Sequence, residues 1–199
     1  MTISRKKRPL DRRIPHKKDT RLFIIATEGK ETEKQYFSLF RYPKVQVKVL
    51  NTNDGKSAPK YVLQRLSDFK NEFGLNKEDE LWLMIDVDRW EEKELSEITQ
   101  NALQKKIKLA ISNPCFEVWL YLHFATISIN ITICKNLKAL LRQRLGSYNS
   151  SNLRLSDFKD HIHDAIKYAR EIDITPNARW PQKPGTHVYK VVEKILELK

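Results

Sequence analysis

The hydrophobic residues in the first half of the chain fall into short runs separated by segments with helical periodicity. Two runs are continuously apolar, which is typical of strands buried on both faces. The first follows Arg21 and ends at Ala26, and the other extends from Leu81 to Ile85. Residues 45–49 alternate valine with polar side chains, which indicates a half-exposed strand near a sheet edge. Residues 107–111 form a fourth run. We therefore predict an α/β fold with a mostly parallel four-stranded sheet flanked by helices.

Helices are predicted between these strands and throughout the second half. Thr32 and Gln35 match a capping box at the start of one helix, Pro59 opens another, and a third covers roughly residues 91–105. Asn113 is predicted to cap a helix whose first residue is Pro114. Three further helices are expected at about 134–145, 156–172 and 186–198. The predicted organisation is a basic, flexible arm at 1–20, an α/β core at 21–125 and a helical extension at 126–199.

Charge is concentrated at the N-terminus. Residues 1–21 contain nine Lys or Arg against two Asp, so this segment carries +7 of the net charge of +12. Such an arm attracts polyanions without sequence specificity, but a solubilising tail explains the composition equally well. The apolar runs are too short for a membrane helix, and no signal peptide is recognised. The two cysteines have no metal-site spacing, so we expect a reducing, cytoplasmic location. The arm residues predicted to bind nucleic acid are Arg5, Lys6, Lys7, Arg8, Arg12 and Arg13.

Two of the apolar runs end in carboxylates. Glu28 follows the first run, and Asp86 and Asp88 follow the third. Ligands of open α/β sheets bind at the carboxyl ends of the strands, so these side chains are expected to converge. Three carboxylates that converge repel one another unless a divalent cation lies between them, and hard oxygen ligands suit Mg²⁺ or Mn²⁺. The alternative is that these acids are ordinary helix caps and solvated loop residues. Glu31 and Glu33 are interpreted as first-turn acids of a helix.

Further candidates follow the fourth strand. Glu117 lies one turn beyond Asn113 and is a candidate ligand or general base. His123 does not share a helix face with Glu117, so a structural role beside Trp119 is the favoured interpretation over catalysis. Lys30, Arg179 and Lys183 are predicted to contact phosphates, and the loop around the last two is otherwise an ordinary linker.

Three motifs in order resemble the RloB-like family, whose members are encoded near restriction and phage-defence loci. They are Glu28-Gly29-x-x-Thr32-Glu33-x-x-Tyr36, Asp86-x-Asp88, and Asn113-Pro114-x-Phe116-Glu117-x-Trp119-Leu120-x-x-His123-Phe124. The resemblance spans roughly residues 20–199. It implies a Toprim-like core in which Glu28 acts in acid–base chemistry or metal binding and Asp86 and Asp88 bind magnesium. The loop 183–188 departs from the expected pattern.

The leading hypothesis from the sequence is a magnesium-dependent, Toprim-like nuclease that cleaves RNA or DNA in antiviral defence. Glu28, Asp86, Asp88 and Glu117 are its predicted catalytic residues, and the first three its metal ligands. Expected partners are nucleic acid and either a partner defence protein or a second copy of the chain, with no membrane. The alternative is a non-catalytic nucleic-acid-binding or effector subunit with a structural metal. Nucleotidyl transfer is a third hypothesis.

Overall fold

Four parallel strands form the central sheet in the computed structural model, which describes residues 20–52 and 55–199. Apart from Thr20, the predicted arm at 1–20 lies outside the described residues. The sheet strands are β1 (Arg21–Thr27), β2 (Val45–Leu50), β3 (Glu80–Met84) and β4 (Lys108–Leu109). A two-stranded sheet is made by β5 (Ser112–Asn113) and β6 (Gly185–Thr186). The helices are α1 (Thr32–Phe37), α2 (Pro59–Glu72), α3 (Glu92–Gln104), α4 (Glu117–Tyr121), α5 (Cys134–Leu145), α6 (Ser156–Lys159), α7 (Ile162–Ile172) and α8 (Val188–Leu196).

The strand order β2-β1-β3-β4 confirms the predicted α/β class, and the sheet is parallel throughout. β2 lies at an edge, as its alternating valines predict. β1 and β3 occupy the two central positions and are buried on both faces, as continuous apolar runs in parallel sheets generally are. In register, Thr27 at the end of β1 stands opposite Met84 at the end of β3. The segments that follow these two strands therefore leave the sheet at the same edge.

Each face of the sheet has its own core, because successive side chains of a strand point to opposite faces. Leu22, Ile24 and Ala26 pack with Val62 and Leu95, so α2 and α3 cover one face. On the other face, Phe23 and Ile25 belong to a cluster that extends into the C-terminal helices. Residues of that cluster in α4, α5, α7 and α8 are Val118, Trp119, Leu137, Leu141, Ala165, Ala169, Val191 and Ile195. The helical half of the chain is thus the second covering layer of the sheet.

The predicted start of a helix at Asn113 and Pro114 is wrong. Asn113 ends β5, paired with Gly185, and its side-chain Nδ2 donates to the carbonyl of Pro181 at 2.9 Å. Helix α4 starts only at Glu117. The pairing of β5 with a strand more than seventy residues later outweighs the local capping preference.

Two other local predictions are corrected. Thr32 and Gln35 form no capping box, since the hydroxyl of Thr32 donates to the carbonyl of Ser150 and the Gln35 amide oxygen accepts from Leu153 N. These bonds fasten α1 to the loop between α5 and α6. The helix predicted at 156–172 is divided into α6 and α7 by a tight turn, in which the backbone N–H of His161 donates to the residue three positions earlier. No helix among the described residues is long and apolar enough to cross a bilayer.

Candidate metal centre

A cleft of about 130 Å³ opens at the carboxyl edge of the parallel sheet. The ends of β1 and β3 meet there, and helices α1, α4 and α5 supply the remaining walls. Five carboxylates line it: Glu28, Glu33, Asp86, Asp88 and Glu117. The four predicted catalytic residues therefore share one cleft, as the topology of a parallel sheet leads one to expect.

Glu28, directly after β1, is held by one of its two carboxylate oxygens. Oε1 accepts a hydrogen bond from the indole Nε1 of Trp90 at 2.9 Å and another from the backbone N–H of Asp86 at 3.3 Å. Oε2 is buried and has no hydrogen-bond partner among the described residues. Burial is the main reason why the pKa of Glu28 rises from 4.5 to about 7, although the Trp90 bond opposes the rise. The side chain is thus fixed in orientation with one oxygen left for a ligand.

The backbone after β3 is fastened to the second sheet. Asp86 forms a parallel bridge with Ser112, and the backbone N–H groups of Val87 and Asp88 both donate to the carbonyl of Pro114 at 3.1 Å. Desolvation raises the pKa of the Asp86 carboxyl well above its usual range, and Glu28 adds repulsion. Asp88, which is exposed at the rim, has a pKa raised by desolvation and partly offset by Arg89. Both acids are held near other acids by backbone geometry.

Glu33 lies in the first turn of α1, as the sequence interpretation placed it, but it also lines the cleft, which that interpretation did not expect. The side chain is buried, with 6% of its surface exposed. Burial raises its pKa from 4.5 to about 7, and repulsion from Glu117 adds to the rise. Its carboxylate packs directly on Gly29, where an added Cβ would overlap Oε2. The missing Cβ at Gly29 therefore leaves the space that this carboxylate occupies.

Glu117 stands on the first turn of α4 and faces α5. Its Oε1 accepts from the hydroxyl of Tyr148 at 3.2 Å and pairs with the Lys138 ammonium at 3.3 Å. Cys134 Sγ lies 3.2 Å from Oε2. Burial and the negative charge of Glu117 raise the pKa of the Tyr148 hydroxyl, so this hydroxyl stays a donor. Glu117 thus contributes a carboxylate to the cleft and also holds the ammonium group of Lys138 there.

The two cysteines are joined by a disulfide, Cys115–Cys134, in the wall of the cleft. Their separation of nineteen residues carries no pairing signal, and the sequence analysis treated them as unconnected. A disulfide is more typical of oxidising compartments, so this pair does not support the expected reducing location. In the described part of the chain, the three metal-type donors within 4.8 Å of one another are Asp88, Cys115 and Cys134. Glu28 and Asp86 line the same cleft without belonging to that group.

His123 and Asn113 have structural positions. His123 is 1% exposed, with Nδ1 at 3.0 Å from the Trp119 carbonyl and Nε2 at 3.1 Å from the hydroxyl of Tyr36. Burial lowers its pKa to about 4, so the ring is neutral at physiological pH. It packs among aromatic rings away from the cleft, in keeping with the structural role predicted for it. Asn113 fixes the loop that contains Pro181, as described above.

Three of the cations predicted to bind nucleic acid are among the described residues, and none of these three lines the cleft. Arg179 donates to the carbonyl and hydroxyl oxygens of Ser96 at 2.9 and 3.0 Å and lies over the Trp180 ring. Lys183 and Lys30 are exposed and do not line the cleft. The six arm residues lie outside the described residues. The predicted phosphate contacts of all these residues stay predictions.

A different set of cations borders the cleft and was missed. Residues 118–156 contain five Lys or Arg and no Asp or Glu. Three of them, Lys135, Lys138 and Arg142, recur at helical spacing along one face of α5, and Lys138 lines the cleft. Arg89, beside Asp88, is another lining cation. The run of thirty-nine residues without an acid was the available signal for this basic face.

The donor set suits a hard divalent cation. Five carboxylates offer oxygen ligands of the kind that Mg²⁺ and Mn²⁺ take, and the raised pKa values of Glu28 and Asp86 reflect burial and repulsion that a cation would relieve. Oε2 of Glu28 supplies an oxygen that no group among residues 20–52 and 55–199 satisfies. The residues present therefore fit a bound metal ion.

The fold and cleft define a class of protein: a parallel α/β domain with an acidic pocket at the carboxyl edge of its sheet and a basic helix beside it. The sequence profile of the RloB-like protein family matches residues 23–195, and the chain belongs to the RloB-like family. This confirms the resemblance carried by the three motifs. No curated protein and no solved structure matches the chain.

Proposed function

We propose that the protein is a magnesium-dependent nuclease that hydrolyses phosphodiester bonds of RNA or DNA in antiviral defence. The observation that carries the proposal is the convergence of five carboxylates at one sheet edge, beside a helix face with three cations. The resemblance that implies Toprim-like chemistry and a defence context points the same way.

Glu28, Asp86 and Asp88 would hold the metal. A bound Mg²⁺ supplies an electrophile that neutralises charge on a phosphoryl group and lowers the pKa of bound water. The indole of Trp90 and the backbone N–H of Asp86 hold Glu28 Oε1, so Oε2 is presented without side-chain reorganisation. Asp88 is at the rim, where a substrate phosphate enters.

Glu33 is suited to accept a proton. Its pKa of about 7 lies near physiological pH, where a general base is most effective. Backbone hydrogen bonds at Gly29 and at its own residue stabilise its ionised form, and burial opposes it. Glu117 has a different part: by pairing with Lys138 it keeps an ammonium group at the cleft. A phosphate that enters would meet that cation and Arg89.

The basic face of α5 supports a polyanionic substrate. Lys135 and Arg142 are exposed on either side of Lys138, and no acid within 118–156 opposes them. A phosphate backbone that lies along this face would pass the mouth of the cleft. Such contacts are independent of base sequence, so they hold RNA and DNA alike.

One observation favours the alternative of a non-catalytic binding subunit. Glu28, Asp86 and Asp88 do not form a group whose donor atoms all lie within 4.8 Å of one another. A preformed metal site would hold its donor atoms that close together. In that alternative the cations bind nucleic acid and the carboxylates serve only to order the loops.

The deciding experiment compares wild type with Asp86→Asn and Asp88→Asn on total RNA, plasmid and single-stranded DNA. Each reaction contains Mg²⁺, Mn²⁺ or EDTA. Glu97→Gln on α3 is the matched control, because Glu97 is exposed and does not line the cleft. Loss of a metal ligand is expected to lower the cleavage rate by roughly 100-fold or more. The control should cleave like wild type, and EDTA should abolish cleavage.

Equal cleavage by wild type and the two Asp variants would refute the catalytic assignment. Absence of cleavage together with nucleic-acid binding that EDTA does not change would support the binding subunit. Fluorescence anisotropy on the same oligonucleotides gives that second measurement.

A further inference from the structure

Both cysteines of the chain lie in the wall of the cleft. The sequence contains two cysteines in total, and their Cα atoms are 5.8 Å apart. Cys115 precedes α4 and is 2% exposed, whereas Cys134 is the first residue of α5 and is half-buried. Any thiolate chemistry of this protein therefore belongs to this one pair, next to the acidic cleft.

Two carboxylates surround the sulfur atoms. One carboxylate oxygen of Asp88 and both Sγ atoms lie within 4.8 Å of one another. Glu117 Oε2 is 3.2 Å from Cys134 Sγ. Neighbouring donors of a tetrahedral zinc ion are about 3.6 Å apart, given ligand distances of roughly 2.0–2.3 Å. Asp88 and the two sulfurs thus form one group of donors, and Glu117 adjoins that group through Cys134.

We propose that the dithiol form of the protein binds a thiophilic divalent cation such as Zn²⁺ through Cys115, Cys134, Asp88 and Glu117. Thiolates select Zn²⁺ over Mg²⁺, and two sulfurs with two oxygens suit its tetrahedral preference. In the disulfide form both sulfurs are engaged in the S–S bond, so the same four residues offer two carboxylates and no thiolate.

The change between the two forms is a two-electron reduction. A dithiol reductant breaks the S–S bond, delivers two electrons and two protons, and becomes its own disulfide. The two thiols then release their protons when the cation binds. Cys134 is the more exposed of the two cysteines, so the reductant is expected to attack its sulfur.

Binding of Zn²⁺ to the dithiol form would also affect the carboxylate cleft. Asp88 and Glu117 belong to both donor sets, so a bound soft cation withdraws them from a hard-metal site and from Lys138. This consequence rests on the proposed function, whereas the binding itself does not. The test below therefore measures binding without any cleavage assay.

The probe is Co²⁺, which gives a thiolate charge-transfer absorption band, followed by displacement with Zn²⁺. Wild type is reduced with a phosphine, which breaks the S–S bond and becomes the phosphine oxide with water as the source of oxygen and protons. Oxidised wild type is the first control, since its histidines and carboxylates are all present. Cys134→Ser is the second, and Asp86→Asn is the matched cleft variant that keeps all four proposed ligands.

Reduced wild type and reduced Asp86→Asn should show the cobalt–thiolate band at one equivalent per chain and lose it on addition of Zn²⁺. Oxidised wild type and Cys134→Ser should lack the band. Since metal binding is linked to folding, Zn²⁺ should raise the melting temperature of reduced wild type by more than it raises that of Cys134→Ser, which keeps the carboxylates of the cleft but not the thiolate pair.

A reduced wild type without the band, or with a melting temperature that Zn²⁺ does not raise, would overturn the proposal. So would Zn²⁺ binding of equal strength in the oxidised protein, because the carboxylates of the cleft would then explain the binding without the thiolates. Folding of each form is checked by circular dichroism, and a reduced chain that Zn²⁺ fails to refold counts against the site.

Discussion

The buried carboxylate of Glu33 should make the protein less stable as pH rises from about 4.5 to about 7. Glu33 is 6% exposed, and burial raises its pKa from 4.5 to about 7. Between these two values the folded protein keeps a proton that the unfolded chain has released. The contribution of Glu33 to stability is therefore full at pH below 4.5 and falls as pH rises to about 7. Glu33→Gln removes the titrating group while it keeps the shape of the side chain.

The size of the effect follows from the two pKa values. At about 1.36 kcal/mol for each pH unit, an upward shift from 4.5 to about 7 corresponds to about 3 kcal/mol of lost unfolding free energy. For a chain of this length, that is a difference in melting temperature of about 6 to 12 °C. Glu33→Gln should therefore melt higher than wild type by this amount at pH 8 and equally at pH 4.5. Glu28 titrates in the same window and remains, so the variant keeps some pH dependence.

The assay is thermal unfolding by circular dichroism from pH 4.5 to 8.5 in EDTA, since a bound cation would mask the repulsion. Glu31→Gln is the matched control, because Glu31 is exposed two residues away at the start of the same helix. That control should follow wild type at every pH. A Glu33→Gln protein that behaves like Glu31→Gln at pH 8, or that melts below wild type, would refute the reasoning.

Three further outcomes are expected. Gly29→Ala should cost roughly 1–3 kcal/mol in urea unfolding because the new Cβ overlaps the Glu33 carboxylate, and Glu33→Ala in the same chain should restore much of it; additive losses would contradict this. His123→Gln should cost roughly 1–3 kcal/mol above pH 7, where the ring is neutral in the folded and the unfolded chain, and less as pH falls from 6.5 towards 4, because the unfolded chain then binds a proton that the buried ring does not; a cost that is the same at pH 5 and at pH 7.5 would refute it. Lys138→Gln should weaken binding to any oligonucleotide and lower the slope of log K against log salt concentration by about 1. Lys77 is exposed just before the opposite end of β3, so Lys77→Gln should bind like wild type, and an equal loss of binding in both variants would argue against the α5 face.

The positions of Glu28 and Asp86 were predictable because they depend on few interactions. Continuous apolar runs identify central strands, and parallel strands bring their carboxyl ends to one edge. The register that sets Thr27 opposite Met84 then places the next residues together. The length of each apolar run, the parallel direction of the strands and the acidic residue that follows each strand were enough to predict these positions.

The errors have a common physical cause, which is contact between residues distant in sequence. Glu33 has the local pattern of a helix-terminus acid, yet it is buried in a cleft whose other walls include α4 and α5. Asn113 has the pattern of a helix cap, yet it pairs with Gly185. The spacing of Cys115 and Cys134 gives no pairing signal. In each case the deciding partner comes from a part of the chain that periodicity and local propensity do not consider.

The carboxylates of the cleft are held close to one another because the helices that present them are anchored in the apolar core. Glu33 and Tyr36 lie three positions apart on α1, on neighbouring turns of one face, and Tyr36 is fully buried against Trp119 and His123. Glu117 begins α4, the helix that carries Trp119. The hydrogen bond from Tyr36 to His123 therefore ties α1 to the segment that follows α4 directly beneath the two acids. The carboxylates cannot separate to relieve their repulsion unless this aromatic cluster is disrupted, so protonation or a bound cation is the available means of relief.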